Sequence, residues 1–350
     1  MVFKIGNRLV GDNYNAFVIA EMSANHGGKI ETALEIVRAA KSSGADALKL
    51  QTYTADTITV NSDKEDFLIQ KSSPWHKYKN LWSLYNFAHT PWDWHKEIFN
   101  EAKRIGLEVF SSPFDETAVD FLEKLNVPAY KIASPEITNI PLIEKVAKTG
   151  KPIILSSGLS NFSDLDLAVK AIKSHGNSDI CILKCTTAYP CPPEEANLLT
   201  IKDISKKLGV ISGISDHTLG SAAAIASIVL GGKIIEKHII LNNSEETADS
   251  FFSMNEDEFT KMVKDVRFIE KALGKVSYSI TKSALPSLKN RSSLYVTDYI
   301  KKGDVLSKDN IKAVRPGHGA HPKFYKQIIG KTSNKNLSPG DRFSMNFIDE

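Results

Sequence analysis

The sequence predicts an α/β fold: a (β/α)8 barrel of the TIM type followed by a small β-rich C-terminal domain. Three observations carry that expectation. Short β-rich runs alternate with amphipathic helical stretches, and the alternation repeats eight times, which implies a parallel sheet covered by helices. No glycine-rich dinucleotide fingerprint follows the first run, which disfavours the rival open, doubly wound sheet. Beyond residue 275 the composition changes to short strands and Gly-Asp and Pro-Gly turns.

The strands are expected, in order, at FVIAE (17–21), ALKLQ (47–51), EVFSS (108–112), AYKIAS (129–134), PIILSSG (152–158), ICILKCT (180–186), VISGISD (210–216) and KIIEKH (233–238). Helical stretches such as IETALEIVRAAKSSG, ETAVDFLEKLN, PLIEKVAKTG and FSDLDLAVKAIKSHG separate them, with apolar residues at helical spacing and a glycine or asparagine near each end. The longest interruption runs from Tyr53 to Pro91. Its aromatic stretch SSPWHKYKNLWSLYNFAHTPWDWH holds four tryptophans, which predicts a folded lid rather than a linker. A helix at 255–274 completes the eighth unit. The expected organisation is a catalytic barrel at 1–275, a linker at 276–290 and the β-rich domain at 291–350.

The 350 residues suit a large barrel plus a module, and 42% hydrophobic with 24% charged residues is ordinary for a globular enzyme. A net charge of +3, from 44 basic and 41 acidic residues without any basic block, gives no argument for nucleic acid. The N-terminal MVFKIGNRLV alternates like a strand and has no apolar signal core. No apolar run approaches the roughly 20 residues of a membrane span. Cys181, Cys185 and Cys191 are odd in number and lack a zinc-knuckle spacing, so Cys181 and Cys185 read as reduced residues on a buried strand. A cytoplasmic location is expected.

In a β/α barrel the chemistry sits at the carboxyl ends of the strands. Those positions hold Glu21, Lys49, Gln51, Ser112, Lys131, Ser134, Glu136, Ser156, Lys184, Thr187, Ser215, Asp216, His217, Glu236 and His238. Lys49 and Lys131, with the hydroxyls of Ser112, Ser134 and Ser156, suit a cationic cradle for phosphate and carboxylate. Each lysine alone also fits a Schiff base or a salt bridge. His217 and His238 end neighbouring strands roughly 5 Å apart and suit a shared divalent metal acting as a Lewis acid on a carbonyl. The competing reading is a buried histidine pair held by Asp216 and Glu236. Glu21 is available as a base or as a partner for a bound water.

The motifs IAEMSANHGG, ADALKLQTY, FSSPFD, YKIAS, ILSSG, ISDHT and IEKHI, in this order, resemble the sialic acid synthase family. RPGHG (315–319) is similar to the antifreeze-like (SAF) domain that ends those proteins. Within the family the likeness is closest to the pseudaminic acid synthase branch, through LYNFAHTPWDWH (84–95) and ADSFFSMNEDEF (248–259). His89, Pro135 and Ala248 depart from that branch's pattern.

The resemblance implies condensation of phosphoenolpyruvate with 2,4-diacetamido-2,4,6-trideoxy-altrose to give pseudaminic acid and phosphate. Synthesis of N-acetylneuraminate or legionaminate from another amino sugar is the alternative. It implies Glu21, Lys49, Lys131, His217 and His238 as catalytic, and His217 and His238 as ligands of Mn2+, or of Mg2+ or Co2+. Lys49, Gln51, Ser112, Lys131, Ser134, Ser156, Thr187 and Ser215 would serve binding, chiefly of phosphoenolpyruvate. Glu136, Tyr189 and Asp249 would face the sugar, and Arg315 would reach it from a second subunit in a domain-swapped homodimer. The Phe251–Phe252 pair would suit a deoxy methyl. Outside the family, a class I aldolase using Lys131 or Lys184 and a non-catalytic sugar-binding protein are the other expectations.

Overall fold

The computed structural model describes residues 1–242 and 246–348. The chain divides into two compact units, Met1–Gly274 and a second beginning at Lys275.

The first unit opens with a hairpin, β1 (Val2–Ile5) and β2 (Arg8–Gly11), in which Ile5 faces Arg8. Gly6, at φ +55°, takes the left-handed turn between them. Phe3, Ile5 and Val10 are buried in the main core. Asn7 N–H donates to Glu108 Oε1 at 2.8 Å and Arg8 pairs with Asp46 at 2.7 Å. Both acceptors lie at strand beginnings, so the hairpin covers the amino-terminal end of the barrel. The alternation in MVFKIGNRLV is therefore that of two strands.

The barrel strands are β3 (Phe17–Glu21), β4 (Ala47–Thr52), β5 (Glu108–Pro113), β6 (Tyr130–Ile132), β7 (Ile153–Ser156), β8 (Ile180–Cys185), β9 (Ile211–Asp216) and β10 (Ile234–Ile240). All neighbours are parallel, and pairing of β10 with β3, His238 opposite Glu21, closes the ring. The eight expected strands are all present. That at 129–134 is shorter, because Ser134–Thr138 turns into a 3-10 helix with Pro135 at its start. That at 233–238 runs on to Ile240, where a two-residue strand, β11 (Met254–Asn255), joins it.

The outer helices are α1 (Ile30–Ser42), α4 (Trp92–Arg104), α5 (Glu116–Lys124), α6 (Ile140–Ala147), α7 (Phe162–Ser174), α8 (Thr200–Leu208), α9 (Ala222–Val229) and α10 (Glu256–Leu273). Two short helices in the lid, α2 (Ala55–Ile58) and α3 (Leu81–Ala88), fall between α1 and α4. Local chemistry starts several of them. Asp115 accepts from Thr117 N and Ala118 N, and Asn161 and Asn255 form capping boxes with Asp164 and Glu258. Among the described residues no helix is long and apolar enough to cross a membrane.

β9 and β10 approach closely at Gly213, where a Cβ would lie 2.1 Å from the Ile234 carbonyl oxygen. That oxygen is backbone of the adjoining strand and cannot swing away. Gly213→Ala is expected to destabilise the barrel by about 3 kcal/mol, the upper end of overpacking costs. Urea unfolding measures this, and a loss below about 1 kcal/mol contradicts it.

The second unit has its own core of Leu294, Val296, Ile300, Leu306, Ile311, Ile328, Leu337 and Phe343. It is built on antiparallel β12 (Ser293–Val296) and β13 (Ile311–Val314), isolated bridges and a short helix, α11 (Tyr325–Ile328). Residues 276–290, expected as a linker, include a 3-10 helix at Lys282–Asn290.

Candidate active site

Side chains alternate across a strand, and this alternation sorts the strand-end residues into two sets. Glu21, Lys49, Gln51, Ser112, Lys131, Ser215, Glu236 and His238 fall on one face and meet. Lys49 Nζ lies 3.0 Å from Glu21 Oε2 and 3.4 Å from Glu236 Oε1, and Lys131 Nζ lies 3.4 Å from the same Glu236 oxygen. Lys131 donates to Ser156 Oγ at 2.7 Å, Lys49 to Ser112 Oγ at 3.3 Å, and Ser215 Oγ to Glu236 Oε1 at 3.2 Å. Gln51 Nε2 donates to Glu21 Oε1 at 2.8 Å and to Ser23 Oγ at 3.1 Å, while Ser23 Oγ donates to the Asp249 carboxylate.

Lys184, Asp216 and Lys237 fall on the other face. Lys237 pairs with Asp216 at 2.8 Å and donates to the Thr218 carbonyl at 2.6 Å. This corrects the reading in which Asp216 and Glu236 hold the histidines: Asp216 holds Lys237, and Glu236 holds the two site lysines. The Lys184 amine donates to the Cys185 carbonyl and Thr186 Oγ1, in a separate crevice between α7 and α8. It therefore takes no part in the lysine–carboxylate cluster.

Glu21, Lys49, Lys131 and Glu236 are all buried, and enclosing four ionisable groups is costly. Burial pushes Glu21 up, against the pull of Lys49. Burial also acts to raise Glu236, but Lys131 and Lys49 outweigh it and hold this carboxyl below the usual range. Burial lowers Lys131; it acts to lower Lys49 too, but Glu21 and Glu236 override it and the net direction is up. The environments thus separate the two carboxyls and the two amines, which is how sites prepare acid, base and anion-binding roles.

Above the lysines, Gly158 N–H donates to Ser134 Oγ at 3.0 Å. A Cβ on Gly158 would meet Thr187 Oγ1 at 2.0 Å, Ser134 Oγ at 2.7 Å and Cys185 Sγ at 3.1 Å. The glycine lets these three groups converge. Among the described residues Thr187 Oγ1 is buried without a hydrogen-bond partner, as are one oxygen each of Glu21, Glu136 and Glu236, and His238 Nδ1. Glu21 Oε2 is within ion-pair distance of Lys49 but off hydrogen-bond geometry. Buried unpaired polar atoms are rare, and their concentration here marks a ligand site.

The two imidazoles stand with ring centroids 5.4 Å apart. His217 Nδ1 lies 3.0 Å from the Thr186 carbonyl, which can only accept, so in the neutral ring Nδ1 carries the proton and Nε2 the lone pair. Burial holds His238 well below the usual imidazole range and keeps it neutral. Burial acts to lower His217 as well, but the Cys185 thiol beside it carries the net direction up. In their deprotonated forms the two imidazoles, one anchored by a carbonyl and one with a free ring nitrogen, fit a borderline divalent cation. Among the described residues no group of three His, Cys, Asp or Glu side chains forms a protein-only ligand set.

A cavity of about 640 Å³ opens over this cluster, lined by Gln51, Glu136, Thr187, Tyr189, His238 and Asp249 together with lid residues. Burial raises the Glu136 carboxyl to about 7. Between 4.5 and about 7 the folded chain therefore keeps a proton that the unfolded chain has lost. The stability this supplies is full below 4.5 and disappears as pH rises through 7. Denaturation at pH 5 and pH 8 is expected to show up to about 3 kcal/mol of such dependence in the wild type, diminished in Glu136→Gln. Identical pH profiles for the two proteins would refute the assignment.

Fourteen of the fifteen predicted site residues thus lie in the first unit, at or above the lysine–carboxylate cluster. Arg315 belongs to the second unit, exposed just after β13. Sequence reasoning placed Glu236 only as a holder of the histidines and gave no site role to Ser23, Gly158 or Cys185. Alternation alone assigns Glu236 to the face of His238, while the other three are visible only from contacts.

A closed parallel barrel with a charged, anion-ready mouth and two metal-competent histidines defines the site of a barrel enzyme that handles an anionic substrate. The chain belongs to the NeuB family, which its residues 36–278 match, and residues 291–346 match the SAF domain. It is 44% identical over 338 residues to pseudaminic acid synthase of Campylobacter jejuni subsp. jejuni serotype O:23/36 (strain 81-176), covering 97% of each chain. It is 45% identical over 333 residues to pseudaminic acid synthase of Helicobacter pylori (strain ATCC 700392 / 26695), covering 95% of this chain and 97% of that one. The crystal structure of N-acetylneuraminic acid (sialic acid) synthetase from Leptospira borgpetersenii serovar Hardjo-bovis in complex with citrate is also similar. Its TM-score is 0.72 at 27% identity, over 82% of this chain and 95% of that chain.

Proposed function

We propose that this protein condenses phosphoenolpyruvate with 2,4-diacetamido-2,4,6-trideoxy-altrose, releasing phosphate and forming pseudaminic acid. The observation that carries the reading is the buried Lys49–Glu236–Lys131 cluster beside His217 and His238, in a chain 44–45% identical to two pseudaminic acid synthases.

The residues divide the work. Lys49 and Lys131, with Ser112, Ser134, Ser156, Ser215 and Thr187, hold the phosphate and carboxylate of phosphoenolpyruvate by fixed charge and short donors. Glu136, Asp249 and Tyr189 line the cavity above and orient the sugar, whose aldehyde must lie toward His238. C3 of phosphoenolpyruvate then attacks the aldehyde carbon, leaving an alkoxide there and a cationic C2. Water adds at C2, and as phosphate leaves by C–O cleavage the water's two protons end on the new hydroxyl and on phosphate. Glu21, fixed by Gln51, is placed to accept the water's proton. Holding both substrates in one orientation contributes the proximity that a bimolecular reaction lacks. His217 and His238 would hold a divalent cation, Mn2+ in our reading, which would polarise the acceptor carbonyl. Lys131 has a serine and a carboxylate for partners and serves here as a charge, so no Schiff base is invoked.

The proposal extends to a domain-swapped homodimer in which Arg315 reaches the sugar site of a second subunit, and to a cytoplasmic location. Arg315 is supported by its exposure within the RPGHG turn. The test of function is phosphate release from phosphoenolpyruvate with Mn2+. Release with the diacetamido altrose sugar is expected. Release only with N-acetylmannosamine, or only with a diacetamido sugar of another configuration, would move the chain to another branch of the family.

A further inference from the structure

Helix α3 has the sequence LWSLYNFA, yet none of its residues is buried. Leu81, Leu84, Tyr85 and Ala88, at i, i+3, i+4 and i+7, form one stripe, and all four line the 640 Å³ cavity. Such a stripe normally packs on a core; this one faces the binding site. Tyr85 joins a small aromatic group at the tops of β4 and β5, with Tyr53–Tyr85 centroids at 5.7 Å and Tyr53–Phe114 at 5.1 Å.

A second aromatic group stands above β8 and β10, across the barrel axis. Tyr189 and Phe252 are 4.9 Å apart, and Phe252 is 4.7 Å from His238. Phe252 therefore stands beside His238, and with the aldehyde placed there as proposed, the deoxy methyl of the acceptor lies away from the Phe251–Phe252 pair. The polar groups Gln51, Glu136 and Asp249 share the cavity with both aromatic groups. A sugar with its aldehyde toward His238 sends its far end to the α3 stripe, where Ile58 adds another aliphatic side chain.

We propose that the lid stripe Leu81, Leu84 and Tyr85, with Ile58, is the specificity pouch for the acceptor's C6 methyl. It makes the site select 6-deoxy over 6-hydroxy sugars. The inference rests on the proposed function and adds to it the residues that read the far end of the substrate.

The test compares kcat/KM for 2,4-diacetamido-2,4,6-trideoxy-altrose and its 6-hydroxy analogue, with phosphoenolpyruvate saturating. An apolar pocket rejects an added hydroxyl by on the order of 10–100-fold, so the wild type is expected to prefer the 6-deoxy sugar by that factor. Leu84→Asn should bring the ratio below about 3-fold, Leu84→Met should keep it, and the KM for phosphoenolpyruvate should hold in both. Equal use of the two sugars by an active wild type overturns the pouch and leaves the proposed function intact. So does a Leu84→Asn loss that is the same for both sugars. A wild type that turns over neither sugar but accepts N-acetylmannosamine overturns both. The wild-type ratio decides even where Leu84→Asn does not fold.

Discussion

His238→Ala is expected to remain folded and to lose about three orders of magnitude or more of turnover, the scale on which a group fixing transition-state charge acts. The folded state gives up little, because His238 Nδ1 is buried without a partner, and removing an unsatisfied polar atom recovers part of the cost of the cavity left behind. We expect a stability loss of no more than about 2 kcal/mol, below that of truncating a well-packed aromatic core residue. The metal reading adds a second readout. Mn2+ binding, followed by calorimetry or by the paramagnetic signal of the free ion, should be abolished in His238→Ala and in His217→Ala. Wild-type turnover should vanish with chelator and return with added Mn2+. A variant that binds Mn2+ as the wild type does removes these histidines from the ligand set, whatever its activity.

Glu236→Leu is expected to do the reverse, harming the fold as well as the chemistry. Glu236 Oε1 is the shared counter-charge of Lys49 and Lys131. Removing one member of a buried ion cluster leaves the others enclosed and uncompensated, at a cost of about 3–5 kcal/mol. Lys49 keeps Glu21 at 3.0 Å, whereas Lys131 keeps, among the described residues, Ser156 Oγ and, already lowered by burial, is expected to shed its proton. A ligand anion replaces part of what is lost, so phosphoenolpyruvate should raise the unfolding midpoint of Glu236→Leu more than that of the wild type. A Glu236→Leu protein as stable as the wild type, or one indifferent to phosphoenolpyruvate, would remove Glu236 from the centre of the cluster.

The strands were legible because a parallel strand buried on both faces reads as a short apolar run, as ICILKC and IIEKHII do. Their ends were legible for the opposite reason. Lysine, glutamate and histidine on buried strands are too costly to be incidental, so Lys49, Lys131, His217 and His238 stood out without any contact being known. The hairpin β1–β2 was half legible: its alternation showed, but its place under the barrel depends on Asn7 and Arg8 meeting Glu108 and Asp46. The lid announced itself by its tryptophans and said nothing of direction. That Trp75 Nε1 donates to the Ala248 carbonyl at 2.8 Å, or that α3 turns its leucines to the cavity, follows from packing between distant segments.

By itself the sequence determined how many β/α units there are and which residue types end each strand, because periodicity and strand alternation are properties of neighbouring residues. Partner choice was decided by the tertiary structure. Closure of the ring places His238 opposite Glu21 and Glu236 opposite Ser215, and only then does Glu236 face two lysines while Asp216 takes Lys237. A buried charge must find its counter-charge within a few ångströms, and that distance is set by which strands adjoin, not by the order of residues along any one of them.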